Sequence, residues 1–539
     1  MRQPDNPNRP IPDAGDETSR KGSSRRRIAI NTISNWVGLG AQTLAGMFLV
    51  TYALWYLDKE TFGVYQVALS VSNSIQFLAF GMAMANLRVA SECIIRQNWE
   101  ELSSVLSVVR TLMTGAAVIG FAAVVSLTLL GLDVFNIPGA MRAEVTRLLP
   151  LVAAGSAIGL VRIPYHSALL AMQRYDLANG VLTGESILRA GIVVVCFEMG
   201  WVRLEALGIA IAVSAVLALG ALLVMRPILL PQVRVSFLRF KWAAFRRLLG
   251  FSAWSMIGNI SFTVQQSVVA PLVSALLGLS AVTAVAVPDM VGRMLERVVG
   301  GFSFSLLPVA TALVAEGRRE RLGRLYVTTA RIAMLLQVPA LAAVITHGQA
   351  LLACLKPELV WTYPLMVLCV GLFVLHAFGL PATHIIWGSG KVGGVILSHV
   401  VAIAVGVGAA VALTLGTNWG VYGAAVGLYA PLALRGLFFM PLLAKRQVQV
   451  GYWRTVFSGF ASPLWVGVVP VTAGLLLRYL WNPHSLWIVL VQVALLGVVY
   501  LAAAWVLVLR PDERLIVLGI LRRRAGVRLP GSSEQEVGS

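Results

Sequence analysis

Four ionisable residues lie close together within one otherwise apolar stretch: Asp289, Arg293, Glu296 and Arg297. At helical spacing they share one face about 100° wide. A charged side chain inside a membrane costs about 2.5–3.5 kcal/mol on insertion scales, so this face cannot point at lipid. Pro288 comes directly before the cluster and is expected to kink or break the helix.

Two kinds of ligand suit this charged face, an anion and a cation. The guanidinium groups of Arg293 and Arg297 match phosphate oxygens through bidentate hydrogen bonds. Glu296 or Asp289 could take up a coupling proton or cation. The alternative is a self-neutralising packing network, because Asp289/Arg293 and Arg293/Glu296 have the spacing of intrahelical ion pairs. We favour a hydrated cavity, since four charges exceed what packing requires.

Further ionisable residues occur within other apolar stretches. Glu185 and Arg189 are four residues apart, and we interpret them as a structural ion pair. Arg162 could meet a headgroup phosphate or could extend to the membrane interface, and the sequence does not separate these alternatives. For Arg435, near the end of a later stretch, extension to the interface is favoured.

Uncharged polar residues form the remaining candidates. Asn31, Asn35, Asn259, Thr263 and Gln266 could line a cavity, or they could hydrogen-bond between helices. His376, His384 and His399 lack the spacing of a metal site, and we interpret each as a satisfied polar contact. The four cysteines show no CxxC or Cys/His pattern, so neither a metal nor a resident cofactor is predicted.

The elements that position these residues are apolar stretches of membrane-spanning length, about fourteen in number. The chain is 58% apolar and only 12% charged, which excludes an ordinary soluble protein. The net charge of +19 could indicate nucleic acid binding. However, most Lys and Arg fall on one side of the predicted spans, which is the positive-inside pattern and places both termini in the cytoplasm.

The fold class predicted is therefore an all-α polytopic membrane protein, with two pseudosymmetric six-helix lobes around a central cavity and two extra C-terminal helices. Ser34-Asn35-Trp36 and Ser252-Ala253-Trp254 are similar starts of the two lobes. The predicted organisation is a disordered basic tail (1–27), an N-lobe (28–229), an amphipathic cytoplasmic linker (230–247), a C-lobe (248–445), two extra helices (446–509) and a cytoplasmic amphipathic segment with a tail (510–539).

Three segments carry a resemblance to a known family. The run from Tyr56-Leu57 to Phe62-Gly63-Val64-Tyr65 is similar to the YLxxxxFGxY pattern of polysaccharide-type flippases, and Phe80-Gly81-Met82 to Ser91-Glu92 resembles the helix exit that follows it. Ala168–Tyr175 resembles the LLQGxQRY stretch, with Ala171 where Gly is frequent. These flippases belong to the multidrug/oligosaccharidyl-lipid/polysaccharide exporter (MOP) superfamily.

The resemblance implies transport by alternating access. The cargo would be an undecaprenyl diphosphate-linked oligosaccharide, moved from the cytoplasmic to the periplasmic leaflet of a bacterial inner membrane for exopolysaccharide, capsule, lipopolysaccharide or O-antigen export. Arg293, Arg297 and Arg162 would bind the diphosphate, and the polar residues would face sugar hydroxyls. Coupling to H+ or Na+ is possible. Membrane lipids, a polysaccharide polymerase and export machinery are the expected partners, and nucleic acid is not.

Two other functions compete with this interpretation. A cation-coupled multidrug exporter of the same fold usually carries an acidic residue in its first helix, but no Asp or Glu precedes Asp58 within this one, and a basic cavity suits an anion better. A membrane glycan polymerase or ligase would need larger outer loops with paired carboxylates. The sequence thus predicts a secondary transporter without catalytic residues.

Overall fold

We describe the protein from a computed structural model covering residues 14–79, 81–237, 240–249, 253–304, 306–508 and 514. For residues 14–33, 36, 249, 253–256, 259, 304, 308 and 447 only the backbone is considered. The described residues are 88% helical and contain no strand, and the helices are long and apolar. The predicted fold class, an all-α polytopic membrane protein, is confirmed.

Twenty-three α-helices follow one another along the described residues. The first twelve are α1 Ala14–Tyr56, α2 Lys59–Asn73, α3 Met82–Ile95, α4 Trp99–Leu130, α5 Arg142–Val161, α6 Ile163–Ala171, α7 Tyr175–Glu198, α8 Leu204–Leu229, α9 Trp242–Leu249, α10 Ala253–Ser267, α11 Val269–Leu277 and α12 Leu279–Phe304. The others are α13 Leu307–Ala315, α14 Arg319–Leu355, α15 Tyr363–Ala377, α16 Leu380–Gly388, α17 Gly393–Gly416, α18 Val421–Leu434, α19 Met440–Val448, α20 Tyr452–Thr455, α21 Ser462–Val466, α22 Val468–Leu480 and α23 Leu486–Leu507.

Eleven helical segments among the described residues are long and apolar enough to cross a membrane. Two bent helix pairs, α2 with α3 and α10 with α11, raise this number to 13. α12 is also long enough at 26 residues, although it contains the four ionisable residues of the charged face. The fourteen spans that the sequence predicts would include α12, so this number stays a prediction beyond the 11 to 13 candidate spans of the described residues.

The two bent pairs break for identifiable reasons. α2 gives way to a 3₁₀ turn, Ser74–Ala79, and α3 begins after Gly81, whose φ of 65° lies in the left-handed region that glycine tolerates. The bend between these two helices is 43°, and the bend between α10 and α11 is 40°. α10 packs against the 3₁₀ turn, and α11 packs against α2. Two discontinuous spans therefore lie side by side.

The chain divides into two compact units. The first comprises Met1–Met290 and His399–Leu428, and the second comprises Val291–Ser398 and Tyr429–Ser539. These bounds differ from those of the predicted lobes, because α10 and α11 pack on helices of the first unit. The assignment of two pseudosymmetric lobes around a central cavity stays a prediction.

Among its described residues, the predicted amphipathic linker begins with a turn and irregular backbone and becomes helical at α9. Two buried hydroxyls of α4 accept hydrogen bonds from its backbone, from Arg234 N–H to Ser103 Oγ and from Ser236 N–H to Ser107 Oγ, both at 3.1 Å. The guanidinium of Arg110 lies 4.0 Å from the centre of the Phe237 ring. The described part of the linker is thus bound along α4.

Charged contacts fix the end of this linker. Arg247 on α9 donates 2.6 Å to Glu92 on α3 and also contacts Glu101 on α4, while Lys241 lies 2.9 Å from Glu100. We call the contacts of Arg247 with Glu92 and Glu101 the linker clasp. They explain why this basic, aromatic segment has a defined place on the first unit.

The two ends of the chain are described only in part. α1 begins at Ala14, so residues 14–27 of the predicted disordered tail are helical. Acidic Asp16 and Glu17 precede basic Arg20 and Lys21 at i, i + 4 spacing, which supports a helix. Residues 1–13 lie outside the described residues, as does all but residue 514 of the predicted C-terminal segment 510–539.

Candidate functional site

The first unit contains a polar cavity next to its two discontinuous spans. Its volume is about 320 Å³, and its walls come from the 3₁₀ turn, α3, the α5–α6 junction, α7 and α10. The polar side chains that line it are Gln76, Arg162, His166, Ser167 and Thr263. Among the predicted site residues, Arg162 and Thr263 are therefore brought together here, from segments about a hundred residues apart.

Arg162 reaches this cavity because a helix is interrupted beside it. Arg162 ends α5, and α6 starts at Ile163 with Pro164 in its first turn. Proline disfavours helical geometry at the residue before it and supplies no N–H, so a continuous helix is broken here. The interruption places the guanidinium at the cavity wall.

One buried carboxylate binds two guanidinium groups at this wall. Glu185 on α7 is 8% exposed, and its Oε1 accepts a hydrogen bond of 2.8 Å from Arg189 Nη2. Its Oε2 accepts from Arg162 Nη1. Arg189 Nε also lies 3.4 Å from Ser214 Oγ. With two guanidinium groups and one carboxylate, this group, which we call the cationic triad, has an excess of one positive charge.

In the structure, the predicted Glu185–Arg189 pair and Arg162 form one group. The Glu185–Arg189 pair has the expected i, i + 4 geometry. Arg162, for which the sequence leaves a phosphate contact and interfacial extension open, instead turns to Glu185 within the protein. Two further cavity residues, Gln76 and His166, were not among the predicted site residues. Gln76 lies in the 3₁₀ turn after α2, and its Nε2 donates a hydrogen bond of 3.0 Å to the carbonyl of Ser156.

The other predicted polar residues lie in different surroundings. Asn35 Oδ1 on α1 accepts 2.7 Å from Asn179 Nδ2 on α7, so it joins two helices. Gln266 is half-buried on α10 and is not among the residues that line this cavity. The side chains of Asn31 and Asn259 lie outside the described part of the chain.

The charged face of α12 is divided between buried and exposed residues. Arg293 and Glu296 are 9% and 6% exposed, whereas Asp289 is half-buried and Arg297 is exposed. Arg293 and Arg297 both act electrostatically on the Glu296 carboxylate. Glu296 also meets an ionisable group on another helix, since His376 Nε2 on α15 lies 3.5 Å from its Oε1.

Two sequence interpretations in this region need correction. Arg435 does not extend to an interface: it is 6% exposed, and its guanidinium donates to Ser398 Oγ at 3.0 Å and to the Val395 carbonyl at 3.3 Å. It begins a π-helical segment, Arg435–Phe439, which turns the side chain into the protein. His376 is only partly satisfied, because Nδ1 meets the Leu432 carbonyl while Nε2 faces Glu296 without a hydrogen bond.

Neither a metal cluster nor a disulfide is formed by the described side chains. No group of three or more His, Cys, Asp or Glu residues is arranged to hold a metal ion in this part of the chain. Cys93, Cys196, Cys354 and Cys369 all lie among the described residues and form no disulfide. The site chemistry of the described residues therefore consists of guanidinium groups, carboxylates, imidazoles, hydroxyls and amides.

Sequence comparison identifies no relative, since no family model and no curated protein matches the chain. Solved structures do match. The lipid II flippase MurJ in an inward closed conformation has a TM-score of 0.65 at 11% identity, covering 93% of this chain and all of that one. An inward-facing multidrug resistance MATE transporter of the MOP superfamily has a TM-score of 0.63 at 14% identity, covering 76% of this chain and 94% of that one.

A third structural relative comes from the same superfamily. It is a MOP transporter from Pyrococcus furiosus described as having a binding pocket of reverse polarity, with a TM-score of 0.56 at 16% identity, and it covers 78% of this chain and 95% of that one. At these identities the likeness concerns the fold. The resemblance seen in the sequence is confirmed at that level: this chain has the fold of the MOP-superfamily transporters and of the flippase MurJ.

Proposed function

We propose that this protein is a flippase that moves a polyprenyl (undecaprenyl) diphosphate-linked oligosaccharide across a bacterial inner membrane. The cargo would pass from the cytoplasmic to the periplasmic leaflet by alternating access, with both chain termini in the cytoplasm. The export of exopolysaccharide, capsule, lipopolysaccharide or O-antigen would follow. The observation that carries this proposal is the polar cavity whose wall contains Arg162 of the cationic triad.

Charge supports an anionic ligand in this cavity. The triad holds two guanidinium groups and one carboxylate, and Glu185 is almost fully buried. An unbalanced positive charge away from bulk water attracts an anion more strongly than it would in water. Arg162 is the arginine of the triad that lines the cavity, and a guanidinium suits phosphate oxygens.

Size and surroundings favour the head of a lipid over a whole glycan. A volume of about 320 Å³ is at the small end of ligand sites, which span roughly 300–1,000 Å³. Gln76, Ser167 and Thr263 offer hydrogen bonds suited to phosphate or sugar oxygens. The cavity would take the diphosphate and the sugar nearest to it, while the polyprenyl chain stays in lipid.

The similarity to MurJ supports a lipid-linked cargo. The match to this lipid II flippase extends over 93% of the chain, whereas the multidrug transporter covers 76%. We also propose, from the sequence, that Arg293 and Arg297 bind the diphosphate and that Asp289 or Glu296 takes up a coupling ion, H+ or Na+. A polysaccharide polymerase and export machinery would act on the delivered cargo.

The second candidate function is a cation-coupled multidrug exporter. Its support is the likeness to multidrug transporters of the MOP superfamily. The net positive charge of the triad argues against it, because a cationic drug would be repelled. A glycan polymerase or ligase has less support, since the structural relatives named above are transporters.

The decisive experiment is lipid analysis of a strain that lacks this gene. A flippase predicts accumulated polyprenyl diphosphate oligosaccharide on the cytoplasmic side, cleared by the wild-type gene. Arg162→Ala should fail to clear it, and Arg162→Lys should clear it partly because it keeps the charge but loses the bidentate geometry. Arg174→Ala is the matched control, since Arg174 pairs with Asp176 away from the cavity. Absence of accumulation, with new sensitivity to cationic dyes, would favour the multidrug exporter.

A further inference from the structure

We propose that Glu296 and His376 form a proton-binding site within the second unit, and that this proton is the coupling ion of transport. The second half of this statement rests on the proposed function; the first half does not. Both side chains are buried, at 6% and 3% exposure, and they belong to different helices, α12 and α15. Their closest atoms, His376 Nε2 and Glu296 Oε1, are 3.5 Å apart.

The hydrogen bonding of His376 fixes which nitrogen can accept the proton. Nδ1 lies 3.2 Å from the carbonyl oxygen of Leu432. A carbonyl only accepts, so Nδ1 carries the hydrogen and Nε2 of the neutral ring has a lone pair. This lone pair faces Glu296 Oε1, which is also an acceptor when the carboxyl is ionised. Two acceptors therefore face each other in a buried place.

One proton resolves this unfavourable contact. Neither His376 Nε2 nor Glu296 Oε2 has a hydrogen-bond partner, although both atoms are fully buried. A proton added to the Nε2 lone pair forms an N–H bond that can donate to Oε1, and the charge of the pair changes from −1 to 0. Buried polar atoms without partners are costly, so the geometry favours proton uptake. An imidazole nitrogen is a poor ligand for a hard cation, which argues against Na+ here.

Charged and titratable groups occur on several elements around the pair. Within the described second unit, the charged groups that interact electrostatically with Glu296 are Arg293 and Arg297 on α12 and Arg435 on the π segment. The guanidinium groups of Arg293 and Arg297 act on Glu296, and Glu296 in turn acts on Arg435. These positive charges repel an imidazolium, so they oppose proton binding and allow the proton to be released.

Proton uptake has a structural consequence at the π segment. When the pair is negative it attracts Arg435, and when the pair is neutral this attraction is lost. Arg435 begins the π segment, and the next residue, Gly436, packs against the backbone of His376. π segments inside helices frequently mark functional sites. Protonation of His376 is thereby linked to the position of a helix that contacts the same histidine.

The test measures proton binding by the purified protein in detergent, without cargo. On acidification, His376→Gln should take up about one proton fewer per chain than the wild type, because the substitution removes the nitrogen that accepts the proton. His347→Gln is the matched control, because buried His347 already has partners on both nitrogens, Thr346 Oγ1 at 2.8 Å and Gln492 Oε1 at 2.9 Å. Equal uptake by the wild type and by folded His376→Gln would overturn the proposal.

A second variant and a second measurement complete the design. Glu296→Gln removes the carboxylate that stabilises the imidazolium, so its uptake should move to lower pH; unchanged uptake would count against the site even if His376→Gln does not fold. In vesicles, His376→Gln should lose the dependence of cargo movement on a pH gradient while still binding a polyprenyl diphosphate. If proton uptake is found but no such cargo binds to the wild type, the cargo assignment fails and the proton site stands.

Discussion

Arg162 and Glu185 form an ion pair that joins the interrupted end of α5 to the middle of α7. Glu185 also binds Arg189 one turn further along its own helix. The same carboxylate thus orients the guanidinium at the cavity wall and partly neutralises it. Glu185 neutralises only one of the two guanidinium charges. An anionic ligand at Arg162 would neutralise the other.

Removal of the shared carboxylate should destabilise the protein strongly. Glu185→Gln leaves two guanidinium groups close together with no anion between them, and breaking a buried pair in this way typically costs about 3–5 kcal/mol. We expect a clear fall in the thermal unfolding midpoint in detergent. Asp176→Asn is the control, because its pair with Arg174 is more than 40% exposed on both sides and is worth at most about 1 kcal/mol.

The alternative outcome would be informative about the triad. An unfolding midpoint unchanged by Glu185→Gln would mean that the two arginines are solvated and that the triad is not a buried electrostatic unit. If added inorganic diphosphate reverses the fall in the unfolding midpoint, an anion can replace the carboxylate. Ligand binding to the folded state stabilises it by mass action, so this rescue should depend on anion concentration.

The linker clasp should protect the linker from proteolysis. Arg247→Ala removes the contacts to Glu92 and Glu101, and we expect faster tryptic cleavage in the linker before α9. The three side chains are about one-third exposed, so the cost in stability should be small, on the order of 1 kcal/mol. Arg246→Ala, on the exposed side of the same helix, should leave the cleavage rate unchanged. If both variants are cleaved at the same rate, the backbone hydrogen bonds to Ser103 and Ser107 are sufficient to hold the linker without the clasp.

The helical, membrane-spanning character of the segments could be predicted from the sequence because membrane insertion is a local property of each segment. Long apolar stretches, their flanking charges and Pro164 or Pro288 are visible in the chain itself. The Glu185–Arg189 pair could be predicted for the same reason, since its geometry is fixed by one helix.

Contacts between helices could not be predicted in this way. Arg162 and Glu185 are 23 residues apart on different helices, and their pairing depends on how α5 and α7 pack. His376 carries no local sign that Glu296 is its neighbour. The inward turn of Arg435 depends on a π segment, whose extra residue per turn leaves no clear pattern in composition. Asn31 and Asn259 remain untested predictions.

Acid should weaken the start of α2. Asp58 caps this helix: its Oδ1 accepts from Glu60 N–H and Thr61 N–H at 2.9 Å, and its Oδ2 accepts from the Thr61 hydroxyl at 2.6 Å. Partial burial alone would raise the pKa of this carboxyl, but the hydrogen bonds from Thr61 and Glu60 outweigh it and lower the pKa below its ordinary value of 3.8. The stabilisation is therefore present above that value and lost as the pH falls through the folded-state pKa.

Two variants test this cap. Asp58→Ala should cost about 1 kcal/mol at neutral pH, the typical value of a side-chain N-cap, and the difference from the wild type should shrink in acid. Asp58→Asn keeps an acceptor oxygen without the titration, so it should stay close to the wild type at neutral pH and lose less stability on acidification. Thermal unfolding across the acidic range would decide; a constant difference between Asp58→Ala and the wild type would exclude the titration.

Gly436 should be intolerant of even one added carbon. A Cβ at this position would lie 2.5 Å from the carbonyl oxygens of Leu375 and His376, so Gly436→Ala must push the π segment away from α15. Overpacking of this kind costs typically about 1–3 kcal/mol. Gly371→Ala on α15 is the control, because no atom lies within 4 Å of its Cβ and alanine favours a helix by up to about 1 kcal/mol. We expect the first variant to unfold at lower temperature and the second to match or exceed the wild type. Because the added carbon would press on the backbone of His376 itself, Gly436→Ala should also alter proton uptake. A loss of packing remote from His376 would leave proton uptake unchanged.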